Sequence, residues 1–464
     1  MGDSRAVDRA DSNLPRRTPG LAQARFTLSV RRVARHLAVV ALVGVCWSCA
    51  RHVPTAPAPE HEWRGFALLD SYARPGQVTL RWNTSTNPPC IDLGCPPPGP
   101  RIDRVRVFQS RSGLTLGFAR IHSTRQGGID STLVTGLDDG RAYWFQVVAY
   151  DSLDRELLRS DPVVTIPGPV LTAFFSVPVR LSGRFDWSPS GDSIAYVETP
   201  GWGRYSVVAL DLRTLTTRRL TRETSGDPDL NEVLQHAAWS PRGRGIAYVY
   251  ATDSPDYQWR ARIWEVSLMD TSRRVLSPGP ADYEPAWGGG RWLYLCRGAA
   301  SPLDVQGIWR LDPDSAESLR PVGTVPGALN VLHPAVRSSD DLIACEVERL
   351  VRGRVRRSIH LLSPATGGAR MLVSSDAWSD WGDDTSPSWA PDGRHVLFLS
   401  RRSGHTEVWS VDVPTGRLAQ VTRSPCWPRM ADARISPDGR RLAVTVWGGG
   451  PDRLVVCDLP GALP

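Results

Sequence analysis

Trp187-Ser188-Pro189-Ser190-Gly191, Trp239-Ser240-Pro241-Arg242-Gly243, Trp389-Ala390-Pro391-Asp392-Gly393 and Ile435-Ser436-Pro437-Asp438-Gly439 are copies of one string. Weaker copies begin at Trp287, where Gly288-Gly289-Gly290 stands in for the turn, and at Val336, which runs into Arg337-Ser338-Ser339-Asp340. The six starts lie 46 to 53 residues apart, a near-constant period that marks a repeat architecture. In each copy the anchor ends one strand, after which Pro fixes a turn dihedral and Gly takes the left-handed one. A second, wholly apolar strand follows at once, as in Ile194-Ala195-Tyr196-Val197 and Val396-Leu397-Phe398-Leu399. A hairpin then supplies the third and fourth strands, as in Glu407 to Asp412 and Arg417 to Thr422 around Pro414-Thr415-Gly416. Four short antiparallel strands per unit make a propeller blade, so 170–464 is predicted to be a six-bladed β-propeller. The last unit stops after Leu454-Val455-Val456-Cys457-Asp458, one strand short; Ala173-Phe174-Phe175-Ser176-Val177 is expected to complete it and join the two ends of the ring.

These strings resemble the TolB-type propeller repeat, with its Trp-Ser-Pro-Asp-Gly signature followed by an aliphatic-aromatic strand. The likeness covers the back of the chain only, and a role in the Tol-Pal envelope system is not carried over with it. Propellers of this type also occur fused to a serine-peptidase domain, which would need chain beyond Pro464, so peptidase activity is not expected.

Upstream, 63–169 also reads as β-structure. Gln77-Val78-Thr79-Leu80-Arg81-Trp82 alternates with Trp82 inward, and Tyr143-Trp144-Phe145-Gln146-Val147-Val148-Ala149-Tyr150 is the longest strand. Gly136-Leu137-Asp138-Asp139-Gly140 leads into it. The string resembles a fibronectin type III domain, and the resemblance implies a β-sandwich in which Leu137 plugs the core and Tyr143 takes the tyrosine-corner position. The whole is therefore all-β, a sandwich followed by a propeller. Gly 41 and Pro 39 among 464 residues fit a turn-dense chain and argue against a helical bundle.

The first 49 residues read as an export address. Arg31-Arg32-Val33-Ala34-Arg35-His36 precedes an apolar run, Leu37 to Trp47, too short to span a bilayer as a helix. Val45-Cys46-Trp47-Ser48-Cys49 resembles a bacterial lipobox and offers Cys49 for lipidation; ordinary cleavage at Ser48-Cys49-Ala50 is the alternative. Residues 50–62, with Val53-Pro54-Thr55-Ala56-Pro57-Ala58-Pro59, form a proline-stiffened tether. The expected location is the periplasm or the outer membrane of a bacterium, with the membrane touched through the anchor alone. In such an oxidising compartment Cys90 and Cys95, five residues apart, are candidates for a local disulfide, since a zinc site would need further ligands. Cys296, Cys345, Cys426 and Cys457 lie on or beside strands and read as small packing residues.

Net charge is +7, but the first 48 residues hold a surplus of five, so the folded body is close to neutral. A gathered basic face is absent from the pattern, and no nucleic-acid partner is expected. A propeller brings equivalent positions of every blade to one channel. Three residues before each anchor stand Arg184, His236, Glu284, His333, Ser386 and Asp432, all polar. One reading is a funnel contacting an envelope protein, a peptide or a saccharide; a metal held by His236, Glu284 and His333 is another, and a wet channel lined by any polar residue a third. Trp202, Trp259, Trp378, Trp381 and Trp427 fall outside the repeat, in loops suited to a sticky binding surface or to burial. No Gly-x-Ser-x-Gly elbow, His-Glu-x-x-His string or phosphate loop is present, and no cofactor is expected. The expectation is a non-catalytic scaffold that binds a protein; the competing one is a channel-mouth lyase or hydrolase acting on saccharide or peptide.

Overall fold

The computed structural model describes residues 67–84, 100–111, 119–124, 129–171, 173–201, 203–222, 224, 232–253, 259–298, 307–374, 383–423, 429–447, 452–459, 461 and 463. The leader and tether, Cys46, Cys49, Cys90, Cys95, Cys426, Trp202, Trp378, Trp381 and Trp427 lie outside the described residues.

The second apolar strand of each unit is uninterrupted because both of its faces are covered, which removes the usual alternation. Ile194 and Tyr196 point to one neighbouring sheet, while Ala195 and Val197 point to the other. Six four-stranded sheets result among the described residues of this part of the chain. Blade 1 comprises Asp186–Trp187, Ser193–Gly201, Arg204–Asp211 and Thr217–Arg219. Blade 2 comprises Val233–Trp239, Gly245–Asp253, Trp259–Ser267 and Arg273–Val275. In blade 3 the strands are Asp282–Trp287, Leu293–Arg297, Gly307–Asp312 and Ser315–Gly323; in blade 4, Asn330–Val336, Ile343–Val351, Arg354–Leu362 and Ala369–Ser374. Blade 5 holds Asp384–Trp389, His395–Ser400, Glu407–Asp412 and Leu418–Gln420. Blade 6 has Arg429–Ile435, Arg441–Trp447 and Arg453–Asp458, and its fourth strand is Ala173–Pro178, as expected, paired antiparallel through Leu454↔Val177 and Val456↔Phe175.

Each pair of successive blades shares one apolar core. Val197 and Val207 meet Leu234 and Tyr248 between blades 1 and 2, and Tyr294 and Ile308 meet Ile343 and Leu362 between blades 3 and 4. The series ends where it began: Ala443, Leu454 and Val456 of blade 6 pack on Phe185, Trp187 and Ile194 of blade 1. The anchor tryptophans add a polar stitch. Trp187 Nε1 donates to Arg434 O at 3.1 Å, Trp287 Nε1 to Ala238 O at 3.3 Å and Trp389 Nε1 to Ala335 O at 3.1 Å, in each case reaching the preceding blade around the ring.

The Ser-Pro-x-Gly turns close as the sequence predicts: Gly191, Gly243, Gly393 and Gly439 have φ of 74°, 66°, 65° and 74°. Their N–H groups donate to the carbonyls of Ser188, Ser240, Ala390 and Ser436. In the degenerate fourth unit Asp341 takes the left-handed place, with φ 58°. The Gly-rich turn of blade 3 has a separate reason: a Cβ on Gly289 would lie 1.7 Å from Ser338 O of blade 4, so only glycine admits the neighbouring turn.

The front of the chain is a sandwich of Ala67–Arg74, Gln77–Asn83 and Ile129–Thr135 against Ala119–Thr124, Arg104–Ser110, Tyr143–Tyr150 and Glu156–Arg159, with Val163–Thr165 also on Tyr143–Tyr150. Val78, Leu80, Trp82, Val105, Val107, Phe145 and Val147 fill it, with Leu137 in the same core. The hydroxyl of Tyr143 accepts the Asp138 N–H at 2.8 Å and donates to its carboxylate at 3.2 Å, tying the strand to the turn before it.

Sandwich and propeller belong to one compact unit, Pro54–Pro464. Val164 N donates to Arg402 O at 2.8 Å, and Ser71 donates to Ser403 O through both N and Oγ, at 3.2 and 2.7 Å. Gln420 Oε1 accepts from Thr165 Oγ1 and Ile166 N at 3.2 and 3.1 Å, and Arg423 Nε donates to Ile166 O at 2.6 Å. Val164 and Ile166 complete the core that Phe398 and Trp409 share with blade 4.

The blade 3 turn gives a paired test. Gly289→Ala forces a Cβ into the Ser338 backbone and is expected to lower stability by about 1–3 kcal/mol in urea unfolding. Gly290→Ala, with nothing within 4 Å of its Cβ, is expected to change it by less than about 1 kcal/mol.

Candidate functional site

The first strands of blades 2 to 5 are each interrupted by a register shift between Gln235 and Ala238, Tyr283 and Ala286, Leu332 and Ala335, and Thr385 and Ser388. At these bulges His236, Glu284, His333 and Ser386 adopt φ of 53°, 52°, 52° and 51°. A bulge re-aims a side chain and frees a backbone N–H from the ladder. Arg184 and Asp432 hold the matching places in blades 1 and 6, and all six side chains are largely buried.

The structure brings the six into a connected network. Arg184 Nη2 lies 3.2 Å from Asp432 Oδ1 and donates to Pro387 O at 2.9 Å, so one guanidinium of blade 1 reaches blades 5 and 6. Arg184 N donates to His236 Nδ1 at 3.4 Å. His333 places Nε2 3.1 Å from Glu284 Oε1 and Nδ1 2.9 Å from Glu346 Oε2. Glu284 also accepts the His333 N–H at 2.6 Å and the Cys296 thiol at 3.2 Å. Glu346 Oε2 accepts the Ser386 N–H at 3.1 Å, and Ser386 Oγ donates to Ala431 O at 3.1 Å. The bulge amides of His333 and Ser386 are thus taken up by carboxylates of the preceding blades, and that of His236 donates to Ser182 O at 3.3 Å.

Four contributors were not singled out by the repeat alignment. Glu346 lies on the second strand of blade 4, inside the buried run Ile343-Ala344-Cys345-Glu346-Val347-Glu348, and Arg357 Nε stands 3.2 Å from its Oε1. Asp186 and Arg434 extend the other side: Arg434 lies 3.2 Å from Asp432 and 3.0 Å from Asp186, whose second oxygen accepts the Trp239 N–H at 2.8 Å. The signal for Glu346 was present, an acid within an apolar strand. Cys296, Cys345 and Cys457 are buried in apolar cores, where Cys345 also donates to His360 O at 3.7 Å and Cys296 to Glu284.

Electrostatics follow from burial and neighbours. Burial, with smaller contributions from the His333 and Arg184 cations, penalises the charged form of His236 and brings its pKa down to about 4, Glu284 and Asp432 opposing only in part. His333 is also buried, yet Glu284 and Glu346 outweigh that penalty and hold it well above the ordinary imidazole range. Its charge in turn holds both carboxyls below their usual range against desolvation. Asp432 is likewise kept ionised, with burial outweighed by Arg184 and Arg434, whereas burial prevails at Asp186 and raises it. Both ring nitrogens of His333 thus face carboxylates of the network. Among the described residues no group of three or more His, Cys, Asp and Glu is arranged to hold an ion. The network is one of ion pairs and hydrogen bonds that ties the blades together at the axis.

The two histidines give opposite pH dependences. His236 has a folded pKa of about 4 against an ordinary 6.5, so the unfolded chain binds the extra proton and stability falls as pH drops from 6.5 to 4. In urea unfolding, His236→Gln is expected to flatten that acid-side loss. The raised pKa of His333 contributes stability that is complete below about pH 6.5 and is lost as pH rises through its folded value. His333→Gln leaves two buried carboxylates without their cation and is expected to cost about 3 kcal/mol at pH 6, with a smaller difference in alkaline buffer.

No family model matches the chain. Among curated proteins, it is 44% identical over 50 residues to the Tol-Pal system protein TolB of Zymomonas mobilis, 10% of each chain. It is 38% identical over 78 residues to TolB of Anaeromyxobacter dehalogenans, 17% of each chain. The matches thus span less than a fifth of the relatives' length. The solved TolB from Acinetobacter baumannii superposes over 70% of this chain and 78% of its own, at 15% identity and a TM-score of 0.39, too distant to transfer a function. The back of this chain is thus a β-propeller of six four-stranded sheets among the described residues, and over these short matched segments its sequence is similar to TolB.

Proposed function

We propose that this chain is an exported bacterial envelope protein, lipid-anchored at Cys49, whose fibronectin type III-like module and six-bladed propeller form a non-catalytic platform for an envelope protein or peptide. The observation that carries the reading is the axial network: Arg184, His236, Glu284, His333, Ser386 and Asp432 are engaged with one another and with Glu346 across the blades. Groups so engaged hold a mouth rigid, and a rigid mouth lowers the ordering cost of binding. In this reading the six form the floor of the mouth. His333, with the most open side chain of the bonded histidine-carboxylate group at 20%, is the one placed to touch the partner directly. The kinship with TolB, a protein named for the Tol-Pal system, supports an envelope setting.

Two measurements test it. Fatty-acid labelling is expected in the parent and absent in Cys49→Ser; equal labelling in both, or none in the parent, removes the anchor. Crosslinking in envelope extracts is expected to capture one defined protein, with capture kept by His236→Gln and weakened several-fold by His333→Gln. Turnover of a saccharide or peptide that His333→Gln abolishes would replace the platform with a channel-mouth enzyme.

A further inference from the structure

Blade 4 carries an arginine-rich hairpin. Between 349 and 357 the sequence reads Arg-Leu-Val-Arg-Gly-Arg-Val-Arg-Arg, five arginines without an acid. The strands Ile343–Val351 and Arg354–Leu362 stay paired to the tip, where Arg352 and Gly353 have φ of 50° and 79°. Two left-handed residues in a two-residue loop make a tight turn whose twist matches the strands, so the tip is a shaped projection. Cross-strand partners share a face. Leu350↔Val355 therefore lie on one side, and Arg349↔Arg356 and Val351↔Arg354 on the other.

Leu350 is 61% exposed and Val355 45%, and Leu329, whose N–H donates to Glu348 O beside them, is 41% exposed. Leu350 and Val355 thus put two large apolar side chains in water side by side at the tip. Arg357 is occupied by Glu346 and Glu348, and Arg349 donates to Pro326 O. Arg352 and Arg354 are exposed and make no ion pair among the described residues. An aliphatic pair facing one way and free guanidiniums facing the other form a small amphipathic wedge.

We propose that this tip is a docking element for an anionic lipid surface, with Leu350 and Val355 at the boundary of the acyl chains and Arg352 and Arg354 on lipid phosphates. Guanidinium binds phosphate in a bidentate fork, and a negatively charged leaflet attracts each nearby arginine. The apolar part also favours lipid over a protein partner, because protein hot spots are built from Trp, Tyr and Arg, with Leu and Val under-represented. The Ser-Pro-x-Gly turns join first to second strands at one end of the blades, so the second-to-third hairpins, this tip included, lie at the other. The sandwich binds Arg402 and Ser403 of the corresponding blade 5 hairpin and is therefore at the same end as the tip.

The experiment is run without the anchor, so that the two ideas fail separately. The full chain carrying Cys49→Ser is sedimented with vesicles of phosphatidylcholine alone or containing about 30% phosphatidylglycerol, and hydrogen exchange is followed in the 349–357 segment. The expected result is stronger partitioning to the anionic vesicles and slowed exchange in that segment. Arg352→Gln with Arg354→Gln should weaken partitioning about 25-fold, roughly fivefold for each arginine near an anionic surface. Leu350→Ser with Val355→Ser should weaken it further at high salt, where charge is screened. Exposed substitutions of this kind leave the fold intact, which unchanged urea unfolding verifies. Partitioning that is equal on both vesicle types, unaltered in the arginine double variant, or unaccompanied by slowed exchange at 349–357 overturns the proposal.

Discussion

The ladder between Ala173–Pro178 and Arg453–Asp458 is the constraint on which everything else depends. Among the described residues it is the one strand pairing in the propeller between segments far apart in the chain; every other blade is a local meander. Without it blade 6 would end on an unpaired edge and blade 1 would lack the neighbour that covers Phe185, Trp187 and Ile194. An open stack of sheets leaves two apolar faces and two edges in water, whereas a closed ring leaves neither. Closure also fixes the chemistry at the axis, because Arg184 of blade 1 meets Asp432 of blade 6 only across that seam.

Closure creates a second demand. Six first strands converge on one axis, and their inner backbone groups must find partners where apolar filling would leave them unsatisfied. The bulges at His236, Glu284, His333 and Ser386 answer it. A left-handed φ on a non-glycine residue costs on the order of 1–3 kcal/mol and persists only where the surroundings compensate. Here the compensation is visible: Glu284 takes the His333 amide and Glu346 takes the Ser386 amide, each with His333 as counter-ion. The polar character of these positions thus serves the closure of the ring itself.

Much of this was legible in the sequence. The fifty-residue period located all six blades, and the orphaned third strand of the last unit pointed to Ala173–Val177 as its missing neighbour. The axial residues were legible too, since a fixed offset from the anchor is a fixed height in the ring. What they do there was not: polarity at a channel reads equally as solvent, ligand or network. Glu346 and Arg434 escaped because they are offset differently from the anchors, and Asp384 with Arg402, a fully buried pair 2.7 Å apart, sits where blade 4 has Val331. The seating of the sandwich on blade 5 had no sequence signal, because Ser71, Gln420 and Arg423 are common surface residue types and their carbonyl partners carry no pattern at all.

That seating changes what the sandwich is. A module joined only by a flexible linker would sample many orientations, whereas here the bonds from Ser71, Val164, Thr165 and Ile166 to the hairpin and outer strand of blade 5 fix one. The bonds are largely backbone-directed and flank an apolar contact, Val164 and Ile166 against Phe398 and Trp409, so desolvation and direction act together. Because Val164 and Ile166 also touch the core shared with blade 4, the brace spans the seam between two blades. The sandwich therefore stiffens one sector of the ring from outside as the ion network stiffens all of it from within. A brace of this kind gives a surface feature such as the blade 4 tip a defined direction relative to the sandwich.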